Sequence, residues 1–291
     1  MEWALYGARL VHYVALVPLA GILAWRLYGT AGAPTAQVVE LRLRPVMLWL
    51  SVAALVGALA WAAATLLAMA GSLEAAEPAV VSYVMTETDF GRLWLARLML
   101  LAILAGLLAT GLRTPRFRAV LAMVLVAALA GTGHTQVNDP PVRYWHMAGD
   151  ALHLVAAAFW IGGLVPLWLF LRTENDARQL AAALHRFSAM GYIAVAVLGV
   201  TGLTNMLLSV TDLSALLSTT WGWLLAVKLA AFAAMLALAA ANRFHLLAAL
   251  ERRGGDTVGL RRRLQGHVAM EYGLGLGILG LVAALGMNAL P

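Results

Sequence analysis

Eight apolar runs separated by short polar connections occupy most of the chain: 4–28, 45–71, 93–112, 117–136, 144–171, 187–210, 221–247 and 268–289. Each reaches the roughly 20 helical residues that cross about 30 Å of hydrocarbon. Lipid offers no hydrogen bonds to a backbone, so a spanning segment is a helix or part of a closed barrel. A barrel would show short segments of alternating polarity, whereas these runs are apolar at consecutive positions. The pattern predicts an all-α, polytopic membrane protein with eight transmembrane helices.

The connections differ in charge. The first holds Arg26, Arg42 and Arg44, and the third holds Arg113, Arg116 and Arg118. The fifth holds Arg172, Arg178 and Arg186, and the seventh holds Arg243, Arg252, Arg253, Arg261, Arg262 and Arg263. The even connections carry Arg92 and Arg143 as their only bases, against Glu74, Glu77, Glu87, Asp89, Asp139 and Asp212. Lys and Arg collect on cytoplasmic loops, so the odd connections are predicted cytoplasmic and both termini periplasmic. The net charge of +6 follows from that rule, and no nucleic-acid partner is expected. Charged residues make up 12% of the chain, about half the usual share in soluble domains. The chain is expected to be a single transmembrane domain, 1–291, with no soluble domain. Its first run lacks a basic leader and a cleavage site, so it reads as a true helix.

The longest outward connection, 72–92, mixes acidic residues with Tyr83, Met85 and Phe90 and has the makings of a surface helix or lid. Trp3, Trp94, Trp145 and Trp221 fall near outer helix ends, as interfacial belts require. Small residues such as Gly273, Gly275, Gly277 and Gly280 suit close helix packing.

Candidate chemistry concentrates in the outer half. His146, Asp150 and His153 open the fifth run at i, i+4 and i+7, so they share one helix face, which Trp160 continues. His146 and His153 lie about 10 Å apart along the axis, too far to chelate one ion together easily. They can serve successive sites, or Asp150 can orient His153; alternatively the three form a packing cluster. His134 ends the fourth run and, with Met147 beside His146, completes a candidate metal-ligand set. His12 in the first run is a further candidate, as metal ligand or haem axial group. With no cysteine in the chain, soft-metal chemistry must use Met and His, which suit copper. Met206 and Met287 map to outer helix ends, although Met is also ordinary packing material. Thr201, Thr204 and Asn205 line the outer half of the sixth run. The inner half offers little beyond Glu271 and His267.

Arg9, Arg97 and Lys228 are stranded inside apolar runs, where a charge costs roughly 2.5–3.5 kcal/mol on insertion scales. Arg9 and Arg97 lie near enough to the outer surface to snorkel. Lys228 is deeper and needs a partner, for which Asp150 is the evident intramembrane acid. An unpaired positive cluster would repel a metal cation.

Asp150-Ala151-Leu152-His153 followed by Ala157-Ala158-Phe159-Trp160-Ile161-Gly162-Gly163-Leu164 resembles a signature of the copper resistance protein D (CopD/PcoD) family. His185-Arg186-Phe187-Ser188 leading to Gly199-Val200-Thr201-Gly202, and Thr220-Trp221-Gly222-Trp223 through Lys228 to Asn242-Arg243, match further stretches. Phe90-Gly91-Arg92-Leu93-Trp94 with Arg97 extends the likeness, which is strongest over 144–288. The resemblance implies a bacterial inner-membrane protein that moves copper from periplasm toward cytoplasm. It also implies a place beside a separate periplasmic CopC-like copper-binding partner.

Three readings follow. In the first, copper is collected at an outward site by His134, His146, Met147 and His153, with His12 as a further ligand. Asp150, Asn205, Met206, Lys228 and Met287 then act around it or along its path, and no catalytic activity is required. In the second, histidines on adjacent helices hold haem b, with the stranded bases pairing its propionates. In the third, the polar cluster only stabilises packing.

Overall fold

The computed structural model describes residues 2–29, 34–71, 77–112, 114–132, 141–210, 216, 218–249 and 258–288. Its helices are α1 (Glu2–Tyr28), α2 (Pro34–Ala70), α3 (Pro78–Glu87), α4 (Asp89–Thr110), α5 (Pro115–Ala127), α6 (Val142–Thr173), α7 (Ala177–Ser209), α8 (Thr220–Ala241) and α9 (Val258–Leu285). A 3-10 turn, Ala128–Thr132, prolongs α5, and a π-helical turn, Asn242–Leu247, prolongs α8. All but α3 belong to eight segments long and apolar enough to cross a membrane. The chain is therefore an all-α, polytopic membrane protein.

The helices outrun the apolar runs at their basic ends. α2 begins at Pro34 and passes through Pro45, and α9 begins at Val258, so Arg42, Arg44, Arg261, Arg262 and Arg263 are helical. Arg is a good helix former, so a basic connection can continue the helix beyond the hydrocarbon. In the connection 72–92, the described part forms the short helix α3, which has no buried residue and packs on α4.

α1 is the central helix. It packs against α2, α5, α6 and α9, and is buried continuously from Ala15 to Trp25. Its contact with α6 is made backbone to backbone. A Cβ added to Gly21 would stand 2.6 Å from Gly162 Cα and collide with the Ala158 carbonyl. Helices in lipid gain little from burying apolar surface against each other, so such close approach is what packs them. Gly57 on α2 plays the same part toward α1, since a Cβ there would lie 2.8 Å from the His12 nitrogen.

Helix ends facing the basic side are closed by side chains. Gly111 ends α4 at φ 71°, a left-handed geometry that favours glycine. Arg118 then donates to the carbonyls of Leu107, at 2.6 Å, and of Leu112. Gln265 donates to the Leu171 carbonyl at 3.1 Å. Between α6 and α7, buried Glu174 accepts from the Thr35 hydroxyl at 2.6 Å and from the Asn175 and Asp176 N–H groups, each at 2.8 Å. Burial alone would raise this carboxyl, but the three hydrogen bonds outweigh it and hold the group below the ordinary carboxylate range.

Two outcomes follow. Gly162→Leu forces α1 and α6 apart and should cost at least the 1–3 kcal/mol typical of overpacking, read as a lower Tm in detergent. Glu174→Gln should lower Tm at neutral pH. A carboxyl depressed in the fold stabilises above its unfolded value of about 4.3 and loses that contribution as pH falls through the folded one. The gap between wild type and variant should therefore close in acid; a constant gap would refute this assignment.

Candidate functional site

α6 carries the site on the side it turns to α7 and α9, next to the face that packs on α1. His146, Asp150 and His153 recur at helical spacing along that face. His146 is 3% exposed and interacts electrostatically with Asp150. Asp150 Oδ1 accepts from Asn205 Nδ2 at 2.9 Å. His153 Nδ1 stands 2.9 Å from Thr201 Oγ1, whose own proton goes to the Val197 carbonyl at 2.6 Å. The threonine oxygen must then accept, so His153 carries its proton on Nδ1 and presents a lone pair at Nε2. Fixing the far nitrogen in this way is how a metal-binding imidazole is oriented. Gly202, the next residue of α7, leaves room for the ring, for a Cβ there would lie 3.4 Å from His153 Cε1.

Lys228 on α8 interacts with Asp150 and with His153. Asp150 therefore faces Asn205, His146 and Lys228 together, and its negative charge offsets the lysine beside the imidazole. Met147 reaches Gly131 at the end of the fourth span, where a Cβ would lie 3.8 Å from its methyl. Met206 is half-buried on α7.

A second polar cluster joins α1, α2 and α4. His12, fully buried, donates from Nδ1 to the Ala54 carbonyl at 2.7 Å, and its Nε2 accepts from Arg97 Nη2 at 2.9 Å. Both ring nitrogens are engaged, so in this arrangement His12 has no lone pair for a metal or haem iron. It acts instead as the acceptor that holds Arg97. Arg97 is 1% exposed and does not snorkel. Its Cζ lies 4.7 Å from the Trp94 ring and 5.7 Å from the Trp61 ring, while Nε and Nη1 make no hydrogen bond. Arg9 lies 5.0 Å over Trp61, donates to the Gly286 carbonyl, and has the Met287 sulfur 3.7 Å from Nη1. Met287 therefore faces a cation rather than an open ligand position. Tyr13 packs edge-on against Trp61, 5.6 Å between centroids, and interacts with Arg9, Arg97 and Asp150, so it joins the two clusters.

His134 lies outside the described residues. Among those described, no three His, Asp or Glu side chains gather as a metal would require. The tyrosine and tryptophan partners of the arginines carry no signal in the sequence, because aromatic residues near outer helix ends read as interfacial. Thr201 and Asn205 stand out as polar groups on α7, but their partners come from another helix.

The chain was compared with known proteins. The family model described as copper resistance protein D matches residues 181–285, and that of the copper resistance protein D-like N-terminal domain matches 1–145. Residues 146–180, which include most of the histidine face of α6, lie between the two. The chain is 34% identical to Copper resistance protein D of Pseudomonas syringae pv. tomato, over 96% of this chain and 94% of that one. It is 36% identical to Inner membrane protein YebZ of Escherichia coli K12, over 55% of this chain and 56% of the relative. It is 29% identical to Copper transport protein CutJ of Bacillus subtilis 168, over 74% of this chain and 39% of that longer protein. No solved structure matches.

The roles of His12 and Arg97 are separable. His12→Ala strips the buried guanidinium of its acceptor and should cost the roughly 3–5 kcal/mol of a broken buried pair. Arg97→Met replaces the charge with a flexible apolar side chain and should be much milder. Thermal unfolding of both variants in detergent tests the order; the reverse order would reject the assignment.

Proposed function

The chain belongs to the copper resistance protein D family, and on that premise we propose that it is an inner-membrane protein that binds copper at its periplasmic side and moves it toward the cytoplasm. Copper is the cargo here and no catalysis is assigned. The observation that carries the reading is His153. Its Nδ1 is tied to Thr201, its Nε2 presents a lone pair, and Asp150 lies near with the charge of Lys228 partly offset. Imidazole suits copper in either oxidation state. His146 and Met147 lie one to two turns outward on the same helix, where they serve as an earlier station with His134. Asp150, Asn205 and Thr201 position the ring and balance charge. Met206 lines the approach along α7. A separate periplasmic copper-binding protein of the CopC type would deliver the ion to this face.

Haem b is the second reading, and one observation favours it. The unmade N–H donors of Arg9 and Arg97 over Trp61 are what an anionic propionate would satisfy. Against it, His12 has no free nitrogen to ligate iron.

Metal analysis of purified protein decides between the two. The wild type should retain copper through gel filtration and show no Soret band, and His153→Ala should lose most of that copper. Thr201→Val, which removes only the group that orients the ring, should weaken copper affinity by about 10–100-fold. Equal copper in wild type and His153→Ala would overturn the assignment, and a Soret band would favour haem.

A further inference from the structure

The inner half of the membrane holds a buried carboxyl that copper collection does not use. Glu271, on α9, is 1% exposed. Its Oε1 accepts from Asn242 Nδ2 at 2.6 Å and its Oε2 from Trp160 Nε1 at 3.4 Å. Among the described residues no base forms an ion pair with it. Asn242 opens the π-helical turn at the end of α8, a rare geometry often found at functional sites. Its carbonyl oxygen in turn accepts from His267 Nδ1 at 2.9 Å. The chain of contacts thus runs from Trp160 through Glu271 and Asn242 to His267, toward the basic, predicted cytoplasmic end of α9.

A cavity of about 190 Å³ lies beside the carboxyl, between α7 and α8 and above α6 and α9. Its lining includes Ser188, Tyr192, Asn242, Arg243 and Glu271. At about 30 Å³ of liquid volume per water, it has room for a few molecules, and although most of its lining is apolar, the polar groups named gather at the Glu271 side. Arg243 closes one edge by donating to His185 Nδ1 at 2.9 Å.

We propose that Glu271 is a proton-exchange site. The carboxyl releases its proton to water in the cavity and regains it from there, while His267 holds the Asn242 amide in place from the far side. The resulting carboxylate is held by the N–H donors of Asn242 and Trp160. Coupling of this exchange to copper passage rests on the copper reading above; the exchange itself does not. The groups facing Glu271 are Trp160 from α6, Asn242 and Arg243 from the end of α8, and Tyr192 from α7 across the cavity. His267 and Tyr272 lie near it on α9 itself. α1 meets α9 farther toward the outer end, where Tyr6 lies by Gly280 and Arg9 by Gly286. Trp160 lies two turns inward of His153 on one face of α6, so a single helix links the copper candidate to the proton site.

The test uses the full chain in lipid vesicles and dicyclohexylcarbodiimide, which reacts with protonated carboxyls buried in membranes. The adduct should form on Glu271, its yield falling about tenfold per pH unit above a midpoint, and be absent from Glu271→Gln. Asn242→Ala should move the midpoint. An imposed pH gradient should alter copper accumulation by the wild type but not by Glu271→Gln, which should still retain copper at equilibrium. No adduct on folded wild type, or a yield independent of pH, would overturn the proton site, as a cavity filled by lipid would produce. A Glu271→Gln variant that keeps the gradient response would overturn the coupling. A wild type that binds no copper, yet labels with a clear midpoint, would leave the proton site standing and refute the copper reading.

Discussion

The backbone contact of Gly21 with Gly162 fixes how far α6 stands from the central helix and how it is rotated about its own axis. Helices in hydrocarbon are not driven together by water, so direct contact between main chains is a principal source of cohesion. Because Gly162 must face α1, the residues one and two turns away on α6 have no freedom in where they point. The face bearing Asp150, His153 and Trp160 is turned to α7 and α9, where Asn205, Thr201 and Glu271 receive it. A helix able to rotate would trade these contacts for lipid, which cannot satisfy a polar group.

The same constraint sorts the buried charges into two kinds. Lys228 and Asp150 are opposite charges in one cluster, so the region beside His153 carries little net charge. Among the described residues Arg9 and Arg97 have no such acid; they lie over Trp61 and Trp94 and take carbonyl, thioether or imidazole acceptors instead. Cation–π contacts that exclude water are worth about 2 kcal/mol, of the same order as the insertion cost of one charge. Aromatic rings thus help hold two positive charges within the bundle, with no carboxylate among the described residues paired to them. Tyr13 stands between these guanidinium groups and the Asp150 cluster.

The number, type and approximate extent of the spanning helices were legible from apolar runs, since hydrocarbon allows little else. So was the shared face of His146, Asp150 and His153, because that follows from spacing within one helix. Between helices, little was legible beyond the pairing of Lys228 with Asp150, which opposite charges in one membrane demand. His12 has the same composition signal as His153, yet one spends both nitrogens on Ala54 and Arg97 while the other keeps one free. Asn242 stands out in the sequence as a polar residue at a helix end within a family-like stretch, with no sign of its partners. The π-helical turn and the approach of α9 turn it into the bridge between Glu271 and His267, so the inner half is richer than its two isolated polar residues suggested. Arg97 lies near enough to the surface to snorkel by sequence position alone. Its burial depends on Trp61, which comes from α2.

The polar stations at His153 and at Glu271 meet α6 two turns apart, the second through Trp160, and what surrounds them differs in firmness. α1, α2, α5 and α6 pack closely, with Leu16, Leu19, Leu125 and Leu164 almost wholly buried. α8 buries only Trp221, Gly222 and Met235, and packs mainly on α9 and its own π-helical turn. Motion that opens one station and closes the other costs least where the fewest packed contacts must break. That places it at α8 and the neighbouring wall of α7 rather than at the glycine seam. Lys228 and Asn242 both belong to the α8 segment, one beside the outer station and one beside the inner. A shift of that segment along α9 would therefore change the electrostatics at His153 and the hydrogen bonding of Glu271 together. The proposed coupling of copper passage to proton exchange would use that linkage between the two ends.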